Sequence, residues 1–451
     1  MSLRQAALPS MMVCRGCGSV AEACEPYPFT CVNAGDGNDH VMRRVLDIEA
    51  LAFPSVTDGE HNPFVAFRSL LHSQHLAVAG GMTDDAYVRL VGDLDDAVAK
   101  VDGHGFATTP LTMQVALGER CGLLGPLYVK DETGNVSGSH KGRHLFGLGL
   151  HLAVVERLGL ADASERRPLA IASCGNAALA AAVVAAAGER ELLVFVPTDA
   201  DPVVVGRLSE LGARITVCER QPGVPGDPTY HRMRAAIADG ALPFTCQGNE
   251  NGLAIEGGQT LGYEMVAQLA ATDAPLHHIV VQVGGGALAS AVAAAFGEAV
   301  SFGVIERQPR FHTVQTESAW PLKRAFDRVA AVLDTETGPD PVHRTLRHAA
   351  HHRAEFMWPW ETAPHSIAHG ILDDETYDWL AVVEAMLVTG GRSVVVGEEQ
   401  LAAANALALE TTGIEVDPTG SAGLAGLVAL RQQGVIGPGE SAAVLFTGAR
   451  R

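Results

Sequence analysis

Residues 169–197 read LAIASCGNAALAAAVVAAAGERELLVFVP, and this stretch decides the fold. Leu169 to Ser173 is a short apolar run bounded by polar residues and a turn, which reads as a buried strand. Asn176 to Ala187 is rich in alanine and free of glycine and proline, which reads as a helix. Leu192 to Val196 is a second strand, closed by Pro197. A strand, a helix and a strand joined by short turns form a parallel pair with its crossover helix.

The same rhythm runs outward in both directions. Downstream, Asp201-Pro202 supplies a cap and a first-turn proline for a helix. Arg214 to Val217 is a strand, Pro228 to Asp239 a helix and Leu242 to Cys246 a strand. His278 to Val283 is a further strand, followed by three glycines and an alanine-rich helix. Ala442 to Phe446 is the last strand, and Leu127-Tyr-Val-Lys130 lies upstream. The expected class is α/β, with two doubly wound parallel sheets. The expected units are an N-terminal ribbon at 1–45, a large unit at 46–165 and 270–451, and a small mobile unit at 166–269. Within the large unit, residues 320–375 read as an irregular insertion.

Composition narrows the function. The 451 residues are 47% hydrophobic and 19% charged, which makes a globular chain with a sizeable core. A net charge of −20 argues against nucleic-acid or anionic-membrane partners. Ile279 to Gly297 is almost without polar groups, but Gly284, Gly285 and Gly286 interrupt it. Strand, turn and buried helix explain it better than a membrane span. The N-terminus carries no apolar core of a secretory signal, and the cysteines after Cys31 are scattered, so a cytoplasmic setting is expected.

Cys14, Cys17, Cys24 and Cys31 crowd near the N-terminus. Cys14-x-x-Cys17 is a knuckle whose two thiolates can reach one zinc ion, and Cys31 can add a third ligand. The fourth is Cys24 or His40. His40 is preferred, because Cys24 follows the knuckle so closely. A metal-free remnant of such a ribbon is the bland alternative.

Four further segments carry chemistry together, though each is ordinary alone. Ser137-Gly-Ser-His140-Lys141-Gly-Arg143 places a lysine at a helix start, where it can form a Schiff base with a carbonyl cofactor. Ser173-Cys174-Gly175-Asn176-Ala177 lies between a strand and a helix, where backbone N–H groups can hold a carboxylate. Gly284-Gly-Gly286-Ala287-Leu288 lets the backbone approach a phosphate. Thr447-Gly448 puts a hydroxyl at the end of the last strand. The glycine loop also has a dinucleotide-binding reading, since Gly284, Gly286 and Ala289 fit G-x-G-x-x-A with Glu306 further on. That reading accounts for one segment only.

The order of these segments resembles the pyridoxal-phosphate enzymes of fold type II, the tryptophan synthase β-like group, and within it the threonine synthase-like members. SGSHKGR resembles their lysine motif, with His140 and Gly142 where Phe and Asp are usual. ASCGNAALAAA resembles their asparagine loop. Glu256-Gly-Gly-Gln-Thr260 with Tyr263-Glu264, and Asp417-Pro-Thr-Gly420, resemble two further segments. The resemblance implies that Lys141 carries pyridoxal 5'-phosphate and works at the substrate Cα. It also implies that Asn176 bonds the ring hydroxyl, that Gly284 to Leu288 hold the phosphate and that Thr447 meets the ring nitrogen. Ser173 to Ala177 would bind the carboxylate of a small amino-acid substrate, and His140 and Arg143 are candidates for the rest of it. The implied activity is elimination or replacement at Cβ or Cγ. A dehydratase or ammonia-lyase is the alternative within the fold, and a non-enzymatic ribbon protein the alternative outside it. A homodimer with one structural zinc is expected.

Overall fold

The computed structural model describes residues 7–35, 37–55, 60–162, 164–220, 224, 226–272, 275–336 and 339–451. Among the described residues twelve strands form three sheets. β1 (Ser10–Cys14) and β2 (Met42–Leu46) make an antiparallel ribbon. β5 (Leu169–Ala172), β6 (Leu192–Pro197), β7 (Arg214–Cys218) and β8 (Leu242–Pro243) make a parallel sheet in the order β7-β6-β5-β8. The third sheet holds β3 (Leu111–Met113), β4 (Leu127–Asp131), β9 (His278–Gln282), β10 (Arg310–Thr316), β11 (Ser393–Val396) and β12 (Ala442–Phe446). Its order is β11-β10-β9-β12-β4-β3, with only β3 antiparallel to its neighbour.

β9 and β12 are buried along their whole length, as strands covered by helices on both faces must be. The apolar run at 279–297 is thus β9, a glycine turn and the helix Ala287–Ser301. Among the described residues no helix is long and apolar enough to cross a membrane. The insertion is irregular only in part. Helices Pro321–Leu333 and Pro341–His351 occupy its first half, and the irregular course runs over 357–376. One apolar cluster joins β5 and β6 to the helices Asp84–Asp102, Lys141–Arg157 and Asn176–Ala187.

The helix Lys141–Arg157 owes its place to glycines. A Cβ at Gly257 would lie 2.2 Å from the Arg143 carbonyl, and one at Gly147 would lie 2.9 Å from the Gly257 Cα. The helix Ala254–Ala270 can approach this closely only because these positions lack side chains.

Candidate active site

Four loops leave the carboxyl ends of parallel strands, where α/β sheets place their ligands. β9, β12 and β4 are adjacent, so the glycine loop, Thr447 and the loop leading to Lys141 stand side by side. Backbone bonds tie them. The His140 N–H donates to the Thr447 carbonyl at 3.2 Å, the Ala449 N–H to Gly138 at 2.8 Å, and Ser139 forms a bridge with Gly448. Lys141 is the first residue of its helix and is half-buried.

The asparagine loop reaches this line from the other sheet. Asn176 opens the helix Asn176–Ala187, and a Cβ on Gly448 would lie 2.8 Å from its Nδ2. Ser173, Cys174, Gly175 and Ala177 are half-buried around it. Arg451, which sequence reasoning misses, donates to the Asn176 Oδ1 and, at 2.6 Å, to the Ser137 carbonyl.

Thr447 is buried, and its Oγ1 accepts from the Gln282 Nε2 at 2.7 Å. The same Nε2 donates to the Gly420 carbonyl at 2.8 Å, which fixes the orientation of the amide. The Thr447 hydroxyl proton is therefore left for another partner.

His140 is buried, and its ring Nδ1 meets the Thr447 carbonyl at 3.1 Å. A carbonyl can only accept, so Nδ1 carries the proton and Nε2 is an acceptor without a partner. Burial, with the Lys141 charge second, holds this imidazole well below the ordinary range, so it is neutral.

Arg143 is not available to a substrate. It is fully buried, its Nε 2.8 Å from Glu132 Oε2 and its Nη1 2.7 Å from Glu264 Oε1. Lys130 completes the network at 2.6 Å from Glu264. The expected substrate contact is corrected to a structural one, and its cause is local. Position 143 follows Lys141 by two, so the side chain points away from the cleft and into the contact with the helix Ala254–Ala270.

The glycine loop is covered by residues 371–378 of the insertion. The Thr376 hydroxyl donates to the Gly284 carbonyl at 2.9 Å and the Asp378 N–H to the Gly285 carbonyl at 3.0 Å. A Cβ at Gly284 would lie 2.2 Å from Asp373 Oδ2, and one at Gly285 would lie 2.9 Å from the Tyr377 ring. The Asp373 carboxylate lies against the Gly285 backbone, its Oδ1 3.7 Å from where a Gly285 Cβ would stand. Burial pushes that carboxyl up to about 6, against the pull of Lys141 and the Gly285 N–H. Burial likewise pushes Asp378 up to about 7, against a bond from the Gly248 N–H.

A model of the family "Pyridoxal-phosphate dependent enzyme" matches residues 104–448. The chain belongs to the pyridoxal-phosphate dependent enzymes. It is 26% identical over 346 residues to a threonine synthase of Methanosarcina acetivorans, covering 75% of this chain and 74% of that one. It is 27% identical to a threonine synthase of Mycobacterium leprae, covering 79% and 84%. Among solved structures, diaminopropionate ammonia lyase from Escherichia coli matches with a TM-score of 0.59 at 16% identity, covering 88% and 93%. The processed form of threonine deaminase isoform 2 from Solanum lycopersicum matches with a TM-score of 0.56 at 18% identity, covering 82% and 91%. The two structural likenesses establish the shared fold. The dinucleotide-binding alternative falls with this membership, and Glu306 sits exposed in a bend.

The residues of this pyridoxal-phosphate dependent enzyme suit its cofactor. The first N–H groups of the helix Ala287–Ser301 have no carbonyl within the helix to bond, and Gly286 at φ 96° turns the chain into it. An amine, an amide and a hydroxyl with a proton to give stand around the same strand ends.

The N-terminal unit gathers a second set of ligands. One ligand atom each from Cys14, Cys17, Cys31 and His40 lies within 4.8 Å of the others. The Cys17 and Cys31 sulfurs are 3.5 Å apart, as are the Cys14 sulfur and His40 Nδ1. Two thiolates on a tetrahedral zinc at ~2.3 Å would stand about 3.8 Å apart. Cys24 is outside this set.

Proposed function

We propose that the protein eliminates or replaces a group at Cβ or Cγ of a small amino acid, with Lys141 as the cofactor lysine and the base at Cα. The alignment of the β9, β12 and β4 ends carries this reading. It brings the phosphate loop, the ring-nitrogen partner and the lysine into one row. When bound, pyridoxal phosphate supplies an electron sink for a carbanion at the substrate Cα. Asn176 bonds the ring hydroxyl, and the N–H groups of Ser173 to Ala177 grip the substrate carboxylate. Gly284 to Leu288 hold the phosphate. Thr447, its oxygen already taken by Gln282, donates its proton to the ring nitrogen. A neutral donor leaves that nitrogen unprotonated, which moderates the sink and favours loss of a leaving group over racemisation or transamination. His140 Nε2 offers an acceptor beside Lys141.

A specific observation supports the alternative leaving group. With Arg143 committed to Glu132 and Glu264, the charges that bear on one another near the cleft are the carboxylates of Asp227, Asp373 and Asp374 and the cations Lys141 and Arg220. Three carboxylates outnumber these two cations, and Lys141 is taken up by the cofactor, so a neutral or ammonium leaving group suits that surface better than a phosphate. The alternative that this observation favours within the same reading is a dehydratase- or ammonia-lyase-type product, a 2-oxo acid. Assays for 2-oxo acid, inorganic phosphate and threonine with a panel of amino acids test it. Phosphate release as the main product would reverse the choice. The further expectations are a cytoplasmic homodimer and one structural zinc on Cys14, Cys17, Cys31 and His40.

A further inference from the structure

Asp373 belongs to no motif, yet it sits on the surface that the cofactor phosphate needs. Its carboxylate lies against the backbone of Gly284 and Gly285, with Oδ2 2.2 Å from where a Gly284 Cβ would stand and Oδ1 3.7 Å from where a Gly285 Cβ would stand. The strap that bears it is held from both sides. Thr376 and Asp378 bond the glycine-loop carbonyls at 2.9 and 3.0 Å. On the other side the Tyr377 ring stacks on Tyr230 of the helix Pro228–Ala238, with ring centroids 5.9 Å apart. A phosphate lodged on this loop therefore meets a carboxylate that cannot easily withdraw.

We propose that Asp373 is a positioning residue of the phosphate cradle, holding the cofactor phosphate only with one proton shared between carboxylate and phosphate, so that phosphate binding takes up a proton. The inference rests on the glycine loop being the phosphate site. No bond to phosphorus changes. The proton comes from solvent and lies between two oxygens. Two anions in contact away from water repel strongly, and one proton removes most of that cost.

The surroundings favour this outcome. The groups that bear on Asp373 are Lys141 on its helix, Asp227 at the cap of Pro228–Ala238, and Cys174 in the asparagine loop. Cys246 beyond β8, and Asp374 and Tyr377 on the strap, also bear on it. Lys141 is the one cation among them, and the cofactor engages its amine. Burial already places Asp373 close to half-protonation at mild acidity.

The experiment compares pyridoxal phosphate with pyridoxal on the full chain. Affinities are read from the visible absorbance of the bound cofactor between pH 6 and 8.5, and proton uptake from an indicator dye in weak buffer. In the wild type, the preference for the phosphorylated form should fall as pH rises, with proton uptake for pyridoxal phosphate only. In Asp373→Asn that preference should rise by about ten-fold or more at pH 8, corresponding to about one pKa unit of coupling, and the extra uptake should vanish. Asp374→Asn, one residue on, should change little. An unchanged preference and uptake in Asp373→Asn would overturn the inference. Absence of any absorbing complex with Lys141 would instead overturn the cofactor-site reading.

Discussion

The Gln282 side-chain amide donates to the Thr447 hydroxyl at 2.7 Å, from the end of one buried strand to the end of the next. The bond commits the hydroxyl oxygen as an acceptor and frees its proton. With Thr447 as the proposed ring partner, its electronic character would be set by a glutamine that need not touch the cofactor.

Thr447→Val should weaken cofactor binding by about 3–10-fold, the worth of one hydrogen bond of ~0.5–1.5 kcal/mol. Thr447→Ser should change little. Thr447→Asp should protonate the ring nitrogen and raise racemisation or transamination relative to β-chemistry. Product partitioning with one reactive amino acid across the three variants is the measurement. Wild-type partitioning in the aspartate variant would place Thr447 away from the ring.

Lys141→Ala should abolish the visible absorbance of the bound cofactor. Borohydride reduction of the wild type, followed by peptide mapping, should label Lys141 and no other lysine. A label on Lys130 would contradict the arrangement, since that amine is buried against Glu264.

Arg143→Met should destabilise the chain by about 3–5 kcal/mol, because it leaves Glu132 and Glu264 buried and unpaired. Arg143→Lys keeps the charge and loses the fork, so it should fall between. Denaturant unfolding reads both. A stable Arg143→Met protein with a raised substrate KM would restore Arg143 to the substrate.

Metal analysis should find one zinc per chain, lost in Cys14→Ser. His40→Cys should retain it and Cys24→Ser should leave it unchanged. Chelation should lower the thermal midpoint of the N-terminal unit before it affects cofactor absorbance. A metal-free wild type with the same midpoint would mean that the four ligands are a relic.

The readable parts of this chain are those whose pattern is local. Leu169 to Val196 alternates strand and helix within a few residues, and the helix Asn176–Ala187 appears as expected. The last strand, Ala442–Phe446, is equally plain. β10 escapes such a reading because Arg310–Thr316 is RFHTVQT, with His312, Thr313, Gln315 and Thr316 buried despite being polar. Their partners come from far away, as with Thr313 and Ser393 at 2.9 Å. Arg143 resembles an anion ligand in sequence because its own carboxylates lie at 132 and 264. Asp373 is invisible for the same reason. No short-range pattern announces that a side chain of the insertion will lie on a loop so much earlier in the chain.

The central place of β12 has a consequence for how the chain is made. β4 and β9 are synthesised early, but each must wait for residues 442–446 before its inner edge is covered. Until then both present unpaired backbone, which invites mispairing with other chains. The long sequence separation also slows closure of the sheet. Closure of the sheet should therefore come late and be concentration-sensitive, and expression at low temperature or with chaperones should raise the yield of protein able to take up cofactor.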